Sequence, residues 1–297
     1  MQRLLTCLVL LVVVTGCAQQ PAGPPGNQSA LLFDAQTVAQ SEKVAIFIPG
    51  ALASVNIFGG AQTWGERGYA PVYYRFPGLD GLALDRQLDI SSAADTIAAF
   101  ANQNPGKSYA LVGFSTGGPI ALEAAAKIRS DHPVAVAAIS PAVERAGGVP
   151  TALRGFRDVT AAAARSKSLN LAVVWPTYWQ TLLFGPKGRS DPTKQPTIDR
   201  LTEEQKSSIV IPNAAIARSH TRDLRRWTIP DDFDLNNTRV GFFIGLSDPV
   251  FSTRQTLRFA NALGTGIIYG YPGQGHLLFF TRPDVFEDMY NFVENTQ

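Results

Sequence analysis

The stretch Tyr109-Ala-Leu-Val-Gly-Phe-Ser115-Thr-Gly-Gly-Pro-Ile-Ala121 decides the fold. Tyr109 to Phe114 is a short apolar run that predicts a buried strand, and a helix is expected over Ile120 to Ile128. Pro119 fits the first turn of that helix, where a backbone N–H has no partner to lose. The chain must therefore turn sharply at Ser115, with small glycine neighbours leaving room for the turn. This pattern predicts a serine hydroxyl exposed at the end of a strand.

Strands and helices alternate on both sides of this motif. The further predicted strands are Lys43 to Ile48, Pro71 to Arg75, Val134 to Ile139, Arg239 to Gly245 and Ile267 to Tyr271, and the further helices are Ser91 to Ala101, Arg254 to Leu263 and Pro283 to Phe292. Such alternation favours an α/β fold with a mostly parallel sheet flanked by helices. The pattern is interrupted once, so we expect a core of residues 42–140 and 236–297 with a largely helical insertion at 141–235.

Composition excludes several classes of protein. The 297 residues carry 26 Lys and Arg against 24 Asp and Glu, a net charge of +2, which gives no reason to expect a nucleic-acid partner. Cys7 and Cys17 are the only cysteines, so disulfide scaffolds and cysteine-ligated metals are excluded from the body of the chain. Metal, phosphate-loop and dinucleotide motifs are missing from the sequence. We therefore expect no metal and no cofactor.

A serine nucleophile needs a base, and the chain offers three histidines. His276 follows the last predicted strand in a glycine-rich loop, at the same sheet edge as Ser115. The alternatives are His132, in a turn before a strand, and His220, inside the insertion. Asp248 ends the preceding strand, which suits a carboxylate that orients His276, although an Asp before Pro249 also suits a helix cap. Ser115, His276 and Asp248 are thus the candidate catalytic residues.

Backbone N–H groups can supply the oxyanion hole that such a serine needs. The loop Pro49-Gly50-Ala51 follows the first predicted core strand and can aim the Ala51 amide at the reacting carbonyl. The Thr116 amide, next to the serine, is the second candidate donor. The alternative is that residues 49–51 form only a turn after a strand.

These features, in this chain order, resemble the α/β-hydrolase superfamily. The resemblance covers about residues 42–140 and 239–295 and implies that the insertion is a cap or lid. It implies serine hydrolysis of carboxylic esters through a covalent acyl-enzyme. Pro49 departs from the pattern, because many relatives have His at that place. Thioester hydrolysis, acyl transfer, carbon–carbon hydrolysis and cofactor-free perhydrolysis with the same residues remain alternatives, as does a membrane-tethered binding module without catalysis.

An aromatic cluster in the insertion has two interpretations. Trp175, Trp179 and Phe184 could roof a pocket for an apolar acyl group. They could equally pack the cap onto the body. The expected partner is a small-molecule ester with an apolar acyl group, and the sequence carries no signal about protein partners.

The first residues have the layout of a secretory signal. An apolar run from Leu4 to Val14 leads into Val14-Thr15-Gly16-Cys17, which resembles a bacterial lipobox and implies a signal peptide over 1–16 with lipid attached to Cys17. Ordinary secretion with nearby cleavage is the alternative. Residues 17–41 are expected to form the lipidated N-terminus and a flexible tether. The predicted location is the bacterial cell envelope, with Ala18 favouring an outer membrane if the source has two membranes.

Overall fold

The computed structural model describes residues 29–295 except 147, 148, 207, 208, 212, 232 and 236, with backbone alone at 149–154. The signal peptide, Cys17 and the first part of the predicted tether lie outside the described residues. Among the residues that the structure does describe, no helix has the length and apolar character needed to cross a membrane.

In the described part of the chain, seven strands form one sheet in the order β1-β3-β2-β4-β5-β6-β7. Their bounds are β1 Leu31–Phe33, β2 Lys43–Ile48, β3 Tyr69–Tyr74, β4 Ser108–Phe114, β5 Val134–Ile139, β6 Thr238–Gly245 and β7 Ile267–Tyr271. All neighbouring strands are parallel except the edge pair β1 and β3. The predicted α/β-hydrolase fold, with a mostly parallel sheet and a helical insertion, is confirmed.

The α-helices of the body flank this sheet, and four more lie among the described residues of the insertion. The body helices are α1 Ala35–Gln40, α2 Gln62–Gly65, α3 Ile90–Gln103, α4 Gly117–Lys127, α9 Thr253–Leu263, α10 Leu278–Thr281 and α11 Val285–Glu294. The insertion contributes α5 Val149–Ser166, α6 Leu171–Arg189, α7 Gln195–Glu204 and α8 Ala214–Thr221. Short 3-10 turns lie at Val55–Ala61, Pro192–Lys194 and Asp223–Arg225. Helix α6 is broken at Gly185.

Alternating side chains of the central strands build a core on each face of the sheet. In β2, Val44 and Ile46 join the cluster that packs against α3, α4 and α9. Ala45 and Phe47 point the other way and join the cluster that contains α11 and the cap aromatics. Burial on both faces explains why the strands are almost continuously apolar, with all six residues of β5 buried.

The start of the fold differs from its prediction. A flexible tether was expected through residue 41, but Leu31–Phe33 pairs with β3 as an antiparallel edge strand, and α1 follows with Asp34 as its N-cap. The tether prediction is therefore wrong over residues 31–40. A three-residue strand is too short to show a hydrophobic period, and its stability comes from β3 rather than from its own sequence. Helix α4 also begins at Gly117, directly after the turn, rather than at Ile120.

Candidate active site

Ser115 lies at the carboxyl end of β4, in the tight turn that leads into α4. Its φ of +50° is left-handed, a conformation that costs a non-glycine residue roughly 1–3 kcal/mol and persists only where its surroundings hold it. Ser115 N–H donates to the Ile139 carbonyl at 3.0 Å, and the Ser115 carbonyl accepts from the N–H groups of Gly118 and Ala142 at 2.9 Å each. These three hydrogen bonds fix the serine at the switch point of the sheet, where the strand order reverses between β2 and β4.

The glycines beside the serine are required by close approach of the backbone. A Cβ on Gly113 would lie 2.3 Å from the Gly117 carbonyl oxygen. A Cβ on Gly117 would lie 2.2 Å from the carbonyl oxygen of Ile48 in β2. Neither position can carry a side chain unless the backbone moves, so the G-x-S-x-G pattern follows from the packing of the turn.

Asp248 and His276 form a buried hydrogen-bonded pair. His276 Nδ1 lies 2.8 Å from Asp248 Oδ2, and the two side chains are only 7% and 3% exposed. A carboxylate can only accept here, so Nδ1 carries the proton and Nε2 is the nitrogen available for chemistry. Asp248 Oδ1 accepts from the N–H groups of Val250 and Phe251 at 2.7 and 3.1 Å. Asp248 thus binds the backbone of its own turn with one oxygen and His276 with the other. It is not the N-cap of α9, because that position is occupied by Ser252.

The loop that carries His276 is fixed by the cap. Gly275 N–H donates to the Leu183 carbonyl at 2.8 Å, and Leu277 N–H donates to the Leu182 carbonyl at 3.1 Å. Both acceptors belong to α6, immediately before its break at Gly185. The residues on either side of His276 are therefore hydrogen-bonded to the insertion.

A cavity of about 340 Å³ joins these elements. It is lined by Ser115 and His276 together with side chains that are mostly apolar, several of them from the cap. The cap contributes the aromatic residues Trp175, Tyr178 and Trp179, and the body contributes residues that include Phe114, Phe251, Leu277 and Phe280. The serine and the histidine predicted from sequence are thus brought to one cavity with an apolar wall.

Ala51 and Thr116 also line this cavity. Ala51 is in a turn closed by a hydrogen bond from Ala53 N–H to the Gly50 carbonyl at 3.1 Å. A Cβ on Gly50 would lie 2.8 Å from the Cβ of Ser115, so the turn abuts the serine. Thr116 precedes the N-terminus of α4, where the helix dipole favours negative charge. Both residues therefore lie beside Ser115 at the same cavity.

Two further predicted residues have different surroundings. His132 is exposed in the loop before β5, at the opposite end of the strands from Ser115. Phe184 is buried but does not line the cavity: it directly precedes the break at Gly185, and its ring faces the Lys194 ammonium 4.7 Å away. The prediction that Phe184 lines the substrate pocket is corrected accordingly.

His220 makes contacts that the sequence did not indicate. It is buried, and both of its ring nitrogens are hydrogen-bonded to backbone groups of the body, at Leu52 and Pro77. A cluster of basic residues surrounds it in the sequence, which suggests a surface position. In the folded protein, His220 instead reaches from the cap to the loop after β2.

A parallel sheet with a strained serine after its central strand defines the α/β-hydrolase class of proteins. The chain belongs to the alpha/beta hydrolase family, whose sequence profile matches residues 45–289. No curated protein sequence matches it significantly.

Solved structures share the fold at low sequence identity. A lipase-esterase related protein from Clostridium acetobutylicum is 15% identical with a TM-score of 0.62, over 90% of this chain and 100% of the other. A carboxylesterase of Nitrososphaera gargenis is 15% identical with a TM-score of 0.63, over 90% and 93%. A thermophilic esterase from Thermogutta terrifontis is 13% identical with a TM-score of 0.63, over 86% and 91%.

Proposed function

We propose that the protein is a serine hydrolase that cleaves carboxylic esters, with Ser115 as nucleophile, His276 as base and Asp248 as the acid that orients it. The observation that carries the proposal is the 2.8 Å hydrogen bond between His276 Nδ1 and Asp248 Oδ2, beside a cavity that Ser115 also lines. The carboxylate keeps the ring in the tautomer whose Nε2 can accept a proton, and it stabilises the imidazolium that forms.

In the proposed reaction, Ser115 Oγ bonds to the ester carbonyl carbon while His276 Nε2 accepts the hydroxyl proton. The negative charge that develops on the carbonyl oxygen is stabilised by the N–H groups of Ala51 and Thr116. The bond to the alcohol oxygen then breaks, and the alcohol takes the proton from His276. Water attacks the acyl-serine in the same way, which releases the acid and restores the Ser115 hydroxyl.

The cavity wall supports an apolar acyl group as the preferred substrate portion. Trp175 and Trp179 present aromatic surface to the cavity, and burial of apolar area contributes about 25 cal/mol per Å². Trp179 is itself packed on Phe280, with ring centroids 5.6 Å apart. An acyl chain that reaches these rings would gain contact area that a short chain cannot use.

The direct test is labelling by a fluorophosphonate probe and hydrolysis of a panel of esters and thioesters. Ser115→Ala should abolish labelling and lower ester hydrolysis by at least about 10³-fold without loss of fold. Ser91→Ala, at an exposed serine on α3, is the matched control and should leave both unchanged. Labelling that persists in Ser115→Ala would refute the assignment of Ser115 as the nucleophile. Faster cleavage of thioesters than of esters would show that thioesters, and not carboxylic esters, are the substrate class.

We further propose that lipid on Cys17 attaches the protein to a membrane of the bacterial cell envelope. The support is the small-residue segment before Cys17 at the end of an apolar run, and stable anchoring takes more than one acyl chain. Cys17→Ser should leave the precursor unprocessed or the protein soluble, whereas Cys7→Ser should change neither. Processing and membrane attachment that survive Cys17→Ser would contradict lipidation.

A further inference from the structure

His220 is a buried titratable side chain that the proposed chemistry does not use. It lies in α8 of the cap and is only 1% exposed. Leu52 N–H donates to His220 Nδ1 at 3.1 Å, and His220 Nε2 lies 2.8 Å from the Pro77 carbonyl oxygen. An N–H can only donate and a carbonyl can only accept, so the ring is neutral with its proton on Nε2. Burial lowers the pKa of the imidazole, which favours this neutral form.

The residue that His220 contacts has an unfavourable backbone conformation. Leu52 has a φ of +62°, in the left-handed region that a leucine rarely adopts. It occupies the third position of the Gly50–Ala53 turn, and this turn also holds Ala51 beside the serine. The chain beyond the turn is fixed separately, because Asp80 accepts from Ser54 Oγ at 2.5 Å and from Val55 N–H at 3.0 Å.

We infer that His220 is a positioning residue for the oxyanion turn: its Nδ1 holds Leu52 in the left-handed conformation that directs the Ala51 amide toward Ser115. This inference rests on the proposed function for its catalytic consequence. Both ring nitrogens are occupied by backbone groups, so His220 does not act as the base. It acts from the cap, through one hydrogen bond, on a donor that would touch the transition state.

Two substitutions separate the contacts of the ring. The side-chain oxygen of His220→Asn can replace Nδ1 as the acceptor for Leu52, whereas the side-chain nitrogen of His220→Gln can replace only Nε2 as the donor to Pro77. Both variants lose packing against Phe76, whose ring centroid lies 5.2 Å from that of His220. A merely structural role predicts similar losses in the two variants.

The experiment measures ester hydrolysis, melting temperature and hydrogen–deuterium exchange of a peptide covering residues 49–55. We expect His220→Gln to lower kcat by about 10-fold or more with KM within about threefold, because a displaced oxyanion donor acts on the transition state. His220→Asn should keep kcat within about threefold of the wild type. Exchange should accelerate in His220→Gln and stay slow in His220→Asn, at similar melting temperatures.

Equal kcat losses in the two variants, or equal exchange, would overturn the inference. Failure of the proposed function has a different signature, namely a wild-type protein that neither binds the fluorophosphonate probe nor cleaves esters. The exchange difference between the two variants needs no activity, so it decides even then whether His220 holds the turn.

Discussion

Gly185 breaks α6 at the point where the cap meets the loops that carry Asp248 and His276, so substitution there tests how the cap supports the candidate site. Its backbone has φ 71° and ψ 174°, a region accessible essentially to glycine alone. A Cβ at this position would lie 2.2 Å from the Ser247 carbonyl oxygen. Ser247 directly precedes Asp248, and its N–H donates to the Gln274 carbonyl at 2.8 Å.

Gly185→Ala therefore combines backbone strain with a collision. The conformation costs an L-residue about 1–3 kcal/mol, and relief of the collision must move the Asp248 loop or pull α6 away from the His276 loop. We expect a total loss of about 2–4 kcal/mol in the free energy of unfolding. For a domain of this size that corresponds to a decrease in melting temperature of about 5–15 °C.

The matched control is Gly106→Ala. Gly106 has a similar φ of +76°, but nothing lies within 4 Å of its added Cβ, so only the strain applies and the loss should be about 1 kcal/mol. Thermal unfolding and ester hydrolysis are measured for both. Gly185→Ala should also lower kcat/KM at least about tenfold, because small displacements of His276 and Asp248 are costly. Equal melting temperatures and unchanged kcat/KM in the two variants would refute the reasoning.

Three further predictions concern the site. Trp179→Ala should lower kcat/KM for long-chain esters by about tenfold relative to acetyl esters. The control is Phe184→Ala, at a side chain buried outside the cavity, which should lower stability without changing the chain-length preference. An equal loss of kcat/KM on long and short esters in Trp179→Ala would contradict this prediction. Asp248→Asn should lower kcat by about 10⁴-fold, since Val250 and Phe251 N–H groups would hold the amide oxygen and turn the amide nitrogen toward His276 Nδ1. The control is Asp95→Asn, at an exposed aspartate of α3, and equal activity of the two variants would contradict the prediction. In the unfolded chain His220 has its ordinary pKa of about 6.5, whereas burial lowers its pKa in the folded protein. The contribution of neutral His220 to stability is therefore present above pH 6.5 and lost as the pH falls. The melting temperature should decrease more toward about pH 5 in the wild type than in His220→Gln, and parallel decreases would contradict this prediction.

The sheet could be predicted from sequence because its central strands are buried on both faces. Lys43–Ile48 and Val134–Ile139 have the bounds that the apolar runs predict. Burial on both faces makes each run continuous and ends it at polar or glycine residues, so the local sequence carries the signal. Edge strand β1 has no such signal, since three residues are too few to show a hydrophobic period and their position is set by pairing with β3.

The residues of the candidate site likewise divide into those that the sequence could predict and those that it could not. Ser115 and His276 could be brought together from sequence because each follows a parallel strand, and all such strands end at one edge of the sheet. The contacts of His220 and Phe184 could not be predicted, because both residues lie in the insertion, and tertiary packing decides how the insertion docks on the body. Phe184 in particular lies five residues after Trp179, roughly 140° around a helix, so its ring leaves α6 on a different face, and what it contacts there depends on how the insertion packs.

The cap is attached to the body on both sides of the reacting serine. On one side the Leu182 and Leu183 carbonyls accept hydrogen bonds from the residues that flank His276, and on the other side His220 accepts one from Leu52. Movement of the cap as a rigid lid would break all three, at about 1 kcal/mol each and more where a buried group is left unpaired. Under the proposed function, it would also release the oxyanion turn and the base at the moment when substrate binds. Under that function, the insertion is better understood as part of the catalytic framework than as a separable cover.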